Sequence, residues 1–280
     1  MTAAPAFDFH CHSLCSDGAL APQALIELAA ERGLQQLAIT DHDTTAAYTR
    51  QLSDQATDAQ ITLVSGCELS CLWQRRSIHV VGLNIDLAHP VFVQAMGEQA
   101  QARDRRAEKI TAVLQRMGFS LELAHIQRIA GDGVVGRPHF AEYLVRTNQM
   151  PSMAAAFKRA LGAGKPGDIK AEWPALETVV GWISAAGGVA VVAHPLKYKM
   201  TLTKLRNLLT TFVEVGGQGM EVITGHQESN QTRTLADLAQ RFELAASAGS
   251  DFHRPGQPWA ELGRASGLPE QCTPIWQLWS

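Results

Sequence analysis

Phe7-Asp8-Phe9-His10-Cys11-His12-Ser13-Leu14-Cys15-Ser16-Asp17-Gly18 is the stretch on which the rest of the chain depends. Its first half reads as a short strand. Side chains two apart on a strand share a face, so His10 and His12 point one way and Cys11 the other. Each imidazole at a strand end offers a nitrogen lone pair, which suits a metal ion. The polar loop that follows ends in Asp17-Gly18 and can swing a carboxylate back to the same place. An HxH pair alone more often marks surface or hydrogen-bonded histidines, so the test is whether other strand ends carry matching ligands.

Working outward, residues 22–32 read as a helix with Pro22 in its first turn and Gly33 behind it. A strand at 37–40 runs into Asp41-His42-Asp43, and a helix follows at 45–59. A strand at 61–67 ends at Glu68, and a strand at 77–85 contains His79. From 89 to 171 no strand is evident. Helices are predicted at 103–117, 120–129, 138–148 and 152–161, and Gly162-Ala163-Gly164-Lys165-Pro166-Gly167 is the exit. The strand-helix rhythm then returns. Helix 176–186 leads to strand 188–193, which ends in His194-Pro195. Helix 202–215, strand 219–224 and helix 228–242 lead to strand 244–248, which runs into Gly249-Ser250-Asp251-Phe252-His253. The Pro- and Trp-rich tail, 255–280, is expected to pack across the scaffold.

Seven short apolar strands alternating with helices predict parallel strands joined by crossovers. Barrels of that kind carry their chemistry at the C-terminal ends of the strands. His10/His12, Asp41/His42, Glu68, His194 and Asp251/His253 all stand at such ends. His79 is the exception, near the start of its strand or on its inward face. The division expected is a scaffold of residues 1–88 and 172–280 with a helical insertion at 89–171.

Composition narrows the class. The 280 residues are 46% hydrophobic and 18% charged, enough for a sizeable core. A net charge of -3 argues against duplex DNA but leaves room for a local basic pocket. No stretch has the apolar length of a membrane helix, and residues 1–5 lack the character of a signal peptide. Five cysteines without a CxxC pair suit a reduced, cytoplasmic protein with free thiols.

The candidate ligands are histidines and carboxylates without thiolate, a set suited to Zn, Mn or Fe in catalytic sites. Nine are too many for one ion and suit two or three ions sharing a bridging carboxylate. Such clusters hydrolyse phosphate esters by lowering the pKa of bound water and neutralising phosphoryl charge.

His10-Cys11-His12, Ser16-Asp17-Gly18, Thr40-Asp41-His42-Asp43, Gly66-Cys67-Glu68-Leu69-Ser70, His79-Val80-Val81-Gly82, Ala193-His194-Pro195 and Gly249-Ser250-Asp251-Phe252-His253 resemble, in order, the motifs of the PHP (polymerase and histidinol phosphatase) superfamily. The resemblance implies an α/β fold, a distorted (β/α)7 barrel with a mainly helical insertion, and three divalent ions, manganese first with zinc or iron as alternatives. It implies one ion on His10, His12, Glu68 and Asp251. A second shares Glu68 and adds His79 and His194, and a third takes Asp17, His42 and His253. Many members have histidine where this chain has Asp17, which leaves the metal preference there open.

Within the insertion, Gly136-Arg137-Pro138-His139-Phe140-Ala141 and Gly164-Lys165-Pro166-Gly167 resemble the branch of 3',5'-nucleotide bisphosphate phosphatases and 5'-to-3' exoribonucleases. That implies a small nucleotide or short single-stranded RNA as substrate, with no membrane and no oligomer required. Glu68, His194, Asp251 and Arg137 are the expected catalytic groups, with a metal-activated hydroxide as nucleophile. Arg137, His139 and Lys165 are expected to grip a substrate phosphate, and His226 joins them because it follows a strand end. On their own, Arg137 and Lys165 read equally well as solvated surface charge. One of the six tryptophans could stack a base, and the sequence does not say which. Two other classes compete. Amidohydrolase-type C–N hydrolases also open with HxH but often carry a bridging strand lysine, which no strand predicted here has. A non-catalytic metal-binding module would have lost ligands, and none is missing.

Overall fold

The computed structural model describes residues 6–170, 172–265 and 267–279. Residues 1–5, weighed above against a signal peptide, the boundary residue Ala171 and the terminal Ser280 lie outside that set.

Two sheets carry the molecule. β1 (Phe7–Cys11), β2 (Gln36–Ile39) and β3 (Thr62–Leu63) form a parallel sheet in that order. β4 (Gly66–Trp73), β5 (Arg76–Leu83), β6 (Val189–Val192), β7 (Gly219–Thr224) and β8 (Ala245–Gly249) form the other. In chain order the α-helices are α1 (Pro22–Glu31), α2 (Arg50–Asp58), α3 (Pro90–Arg116), α4 (Leu123–Ala130), α5 (Arg137–Arg146), α6 (Met153–Ala156), α7 (Leu176–Ala185), α8 (Leu202–Glu214) and α9 (Ser229–Arg241). Local chemistry fixes several of their starts. Pro22 opens α1, where a missing N–H costs nothing. The Thr49 and Thr201 side chains accept from Leu52 N and Lys204 N to cap α2 and α8.

The strand expected at 61–67 is two strands. The chain pairs with β2 as far as Leu63, then crosses at Val64-Ser65 into the second sheet as β4. The all-parallel expectation also fails there, because β4 and β5 form an antiparallel hairpin and β5 pairs antiparallel with β6. Gln74 and Arg75 make the two-residue turn at φ 46° and 63°, the positive-φ geometry that matches strand twist. Neither is the Asn or Gly that usually announces such a turn.

Glu68 therefore lies near the start of β4 rather than at the end of a strand. It is nevertheless level with the other strand ends. It faces Val81, which pairs with Val191 one residue before β6 ends. The rest of the hairpin projects beyond that level, and His79 comes back to it.

Among the described residues no ladder closes the sheets into a barrel. They meet at two seams. One is β1 against β8, where Asp251 N donates to His10 O at 2.8 Å and Cys11 bridges Phe252. A Cβ on Gly249 would sit 2.3 Å from His10 Cβ, so only glycine allows this approach. The other seam is a bridge between His42 and Glu68. Phe9, Ala38, Val81, Val191 and Ala245, drawn from both sheets, share one core. The tail packs there too, with Trp276 and Trp279 edge-on to Phe9.

Helices α3 to α6 and the π-turn Phe157–Leu161 bury a separate core around Ile110, Leu114, Phe140 and Leu144. α3 begins at Pro90 rather than at 103. The exposed Gly97 weakens it locally by about 1 kcal/mol, which the buried face of Phe92, Ala95 and Gln99 overrides. No helix among the described residues is long and apolar enough to cross a membrane.

Candidate metal centre and arginine cleft

Glu68 is the hub. Its Oε1 lies 2.8 Å from His79 Nδ1 and 2.8 Å from His194 Nε2. Its Oε2 lies 2.9 Å from His42 Nδ1 and 3.3 Å from both His10 Nε2 and His12 Nε2. Asp251 Oδ1 approaches the same two histidines at 3.5 and 3.3 Å. Asp17 Oδ1 is 3.4 Å from His253 Nε2 and 3.9 Å from His42 Nε2. Donor atoms of His12, Asp17, His42 and His253 converge closely enough to hold one ion. So do those of His10, Glu68 and His194, of His10, His12 and Asp251, and of His42, Glu68 and His79. All nine expected ligands thus gather in one place.

The donor set fits divalent ions. His12 Nδ1, Asp17 Oδ1, His42 Nδ1, Glu68 Oε2 and His194 Nδ1 are buried without a hydrogen-bond partner, a cost that a cation would remove. His10 Nδ1 is bonded to Glu221, which would orient Nε2, 3.1 Å from His12 Nε2, toward a metal. Glu221 also accepts from His194 N at 2.7 Å and Thr224 Oγ1 at 2.8 Å.

The electrostatics belong to a site waiting for positive charge. Burial opposes ionisation of Glu68, but His42, His79 and His10 outweigh it and hold the carboxyl well below its ordinary range. Asp17 is likewise held low against burial by His253 and His42, and Asp251 by His10 and Lys197. Burial, then the neighbouring His253, pushes His12 down to about 3. Burial opposes the charge on His253 too, but Asp17 wins and lifts it to about 9.

Beside the cluster is a cleft of about 120 Å³, lined by Asp17, His42 and His79 on the scaffold side. Arg103, Arg106, Arg137, Phe157 and Trp173 line it on the other. Arg103 is paired with Asp43 at 2.7 Å. Arg137 NH1 donates to Asp168 Oδ1 at 3.0 Å and to Leu161 O at 3.1 Å. Arg106 is 6% exposed, donates Nε–H to Ile169 O at 2.8 Å and lies 5.1 Å over the Trp173 ring. Among the described residues no carboxylate pairs with it. Burial, then the neighbouring Arg137 and Arg103, lowers it to about 9.

The other expected phosphate contacts are placed differently. His139 is buried at the start of α5, where its Nδ1 accepts from Gly136 N at 3.0 Å, and burial lowers its pKa. It therefore caps the helix. Lys165 is exposed in the 162–167 loop, and His226 is exposed beyond β7. Neither lines the cleft.

Sequence reasoning missed Glu221, Lys197, Arg103 and Arg106. Glu221 is the lone acid in the apolar strand β7, and an acid in a strand expected to be buried is itself a signal that it has partners. Lys197 pairs with Asp251 from the turn after His194. Gln99, Arg103 and Arg106 are spaced four and three apart on α3, one helix face. Gln99 and Arg103 lock Asp43 in place, with Gln99 Nε2 at 3.0 Å from its Oδ1.

Residues 8–150 match the model of the PHP domain. The chain is 40% identical over 98% of its length to the 5'-3' exoribonuclease Rnm of Escherichia coli, covering 93% of that protein. It is 38% identical to a 3',5'-nucleoside bisphosphate phosphatase of Chromobacterium violaceum, over 96% of this chain and 95% of the relative. A solved structure from Chromobacterium violaceum, described as an amidohydrolase with bound sulfate and no metal, superposes with a TM-score of 0.88 at 38% identity. That match covers 97% of this chain and 95% of the other.

Proposed function

Because the chain belongs to the PHP family, we propose that it is a metal-dependent phosphoesterase acting on nucleoside 3',5'-bisphosphates and short 5'-phosphorylated RNA. The observation that carries this is the Glu68 carboxylate, shared by the histidine groups and opening onto an arginine-lined cleft. Relatives named for each activity match over nearly the full chain, and one relative binds sulfate, an anion of phosphate shape.

The nine ligands are those expected above, but their donor atoms group differently: His194 lies with His10 and Glu68, His79 with His42 and Glu68, and His12 joins Asp17, His42 and His253. Three divalent ions held there, manganese first, would activate water and neutralise phosphoryl charge. The chain's own residues supply position. The two substrate types share one unit, a 5'-phosphate, a ribose and a phosphorus on the 3'-oxygen. The cleft has room for the 5'-phosphate. Arg106 is the guanidinium free to bind it, while the ion pairs of Arg103 and Arg137 fix the walls. Phe157 and Trp173 exclude water, which strengthens each contact. The 3'-phosphoryl group then lies at Glu68, His194 and Asp251.

In this proposal residues 89–171 are a lid on a split, distorted barrel made of the remaining segments. Every candidate ligand comes from one chain, so no second subunit is needed. The free thiols suit a reducing, cytoplasmic setting.

Phosphate release from Mn-loaded protein tests the proposal, comparing pAp, AMP, a 5'-phosphorylated dinucleotide and histidinol phosphate. Preference for pAp or the dinucleotide is expected, and a preference for histidinol phosphate would overturn it. The amidohydrolase description of one relative favours a C–N hydrolase as second reading. Among the described residues, however, no strand carries a lysine to bridge metals. A panel of cyclic and acyl amides run with the same protein separates the two.

A further inference from the structure

Trp259 has the largest relative exposure, 61%, among the large hydrophobic side chains described. The other tail tryptophans, Trp276 and Trp279, pack on Phe9. An exposed indole on a loose tail would mean little, but the backbone under this one is fixed. Trp259 O accepts from His226 N at 2.7 Å, and Gly225 N donates to Gly249 O at 2.8 Å. A Cβ on Gly225 would lie 2.3 Å from Trp259 O and 3.0 Å from Ser250 O, so the backbones after β7 and β8 are pressed together. Beyond it, Ala260 and Leu262 are buried, and Arg32 holds Leu262 O at 2.5 Å. The indole is thus presented from a braced loop held against Gly225 and His226, and Gly225 in turn abuts Ser250, the residue before Asp251.

The surroundings point to a polyanion. Arg254 and His226 are exposed on the same pair of loops. Ala19 N donates to His253 O at 2.7 Å, which ties the loop of Leu14 and Asp17 to this rim. Leu14 is also exposed, at 53%. The centre therefore has two unlike sides. Toward the insertion is an arginine-lined cleft with room for a phosphate. Toward the β7 and β8 loops is an open rim with an aromatic face flanked by the Arg254 cation and the His226 imidazole, a combination suited to a single strand.

We propose that Trp259 is a stacking platform for the base on the 3' side of the scissile phosphate. This rests on the function proposed above and deepens it. With the 5'-phosphate in the cleft and the phosphorus to be attacked at Glu68, the strand would continue over the open rim. pAp has no nucleotide there, and RNA does. Trp259 is then what adds RNA trimming to a bisphosphate phosphatase site.

The test compares Trp259→Ala and Trp259→Phe in Mn-loaded protein on pAp, the dinucleotide pApA and p-nitrophenyl phosphate. Stacking is worth about 1–3 kcal/mol per base, roughly 5- to 150-fold. KM for pApA should rise within that range in Trp259→Ala and largely recover in Trp259→Phe. Kinetics on pAp and p-nitrophenyl phosphate should change less than about twofold on the same scale. Binding of pApA to a Ca-loaded protein, followed by indole fluorescence, should lose most of its quenching in Trp259→Phe. Unchanged KM for pApA would overturn the proposal, and so would an equal rise for pAp and pApA, which would put the first base on this face. If the unmodified protein hydrolyses neither nucleotide, the function itself is wrong and the platform falls with it.

Discussion

Arg106→Met separates a substrate cation from a structural one. In the structure the side chain has one hydrogen bond, to Ile169 O, and two cationic neighbours. Losing that bond costs about 1 kcal/mol. Relief of repulsion from Arg103 and Arg137 acts the other way, and the Met side chain keeps contact with Trp173. Thermal stability should therefore change little. Binding should change much more, because a hydrogen bond from a charged donor to a phosphate contributes about 1.5–3 kcal/mol, or roughly 10- to 150-fold. The expected result is that kcat/KM for pAp falls by that factor while p-nitrophenyl phosphate, which has no second phosphate, is nearly unaffected. Inorganic phosphate should raise the melting temperature of the unmodified protein by mass action and fail to do so for the variant. Arg137→Ala should cost less on pAp, since that guanidinium is already committed to Asp168. Equal losses on both esters, or none, would refute the assignment of Arg106 to the second phosphate.

Chelation should abolish activity and lower the melting temperature, and Mn should restore both; full activity in protein shown to be metal-free by elemental analysis would end the metal-dependent reading. Glu68→Gln should cost more rate and more bound metal than Asp17→Ala, because Glu68 stands between the histidine groups while Asp17 serves one of them; small, equal effects would argue against a shared carboxylate. Metal-free protein should lose stability as pH rises from about 6.5 to 9. His253, lifted to about 9, and His10 and His42, also raised, keep a proton there that the unfolded chain has given up. The lowered His12 and His79 act the other way only at the lower edge of that window, where the unfolded imidazoles still hold part of a proton. Chemical denaturation at both ends of the range checks this, and a flat profile would contradict it.

The strand-end ligands were legible because their signals are local. His10 and His12 alternate on one strand, and Asp251 and His253 repeat the spacing at the last strand end. What escaped was set by contacts distant in sequence. The antiparallel hairpin depends on Gln74 and Arg75 adopting positive φ, which their chemistry does not favour. Glu68 looked like a strand end because the motif was visible and the crossing at Val64-Ser65 was not. Arg106 looked like one more charge on an amphipathic helix, since its burial depends on Trp173 arriving from a distant segment. The motif around Arg137 points to a phosphate contact, and its ion pair escapes because Asp168, which engages it, lies in an unpatterned stretch. Ligand identity could be read one residue at a time, whereas the charge state of a pocket depends on which cations have found partners.

That distinction bears on how the proposed enzyme chooses its substrates. A net charge of -3 gives no general attraction to polyanions, so affinity has to come from the few cations gathered at the mouth. Those in the cleft line a space of about 120 Å³ together with Phe157 and Trp173. A terminal phosphate has one ester link and can enter such a space with its free oxygens first. An internal phosphodiester has chain on both sides, and one side would meet the wall. The same enclosure that keeps Arg106 poorly hydrated would therefore restrict cleavage to the first linkage from a phosphorylated 5' end. On that reading the walls of the cleft would disfavour endonucleolytic cuts, with no need for a specific repulsive contact.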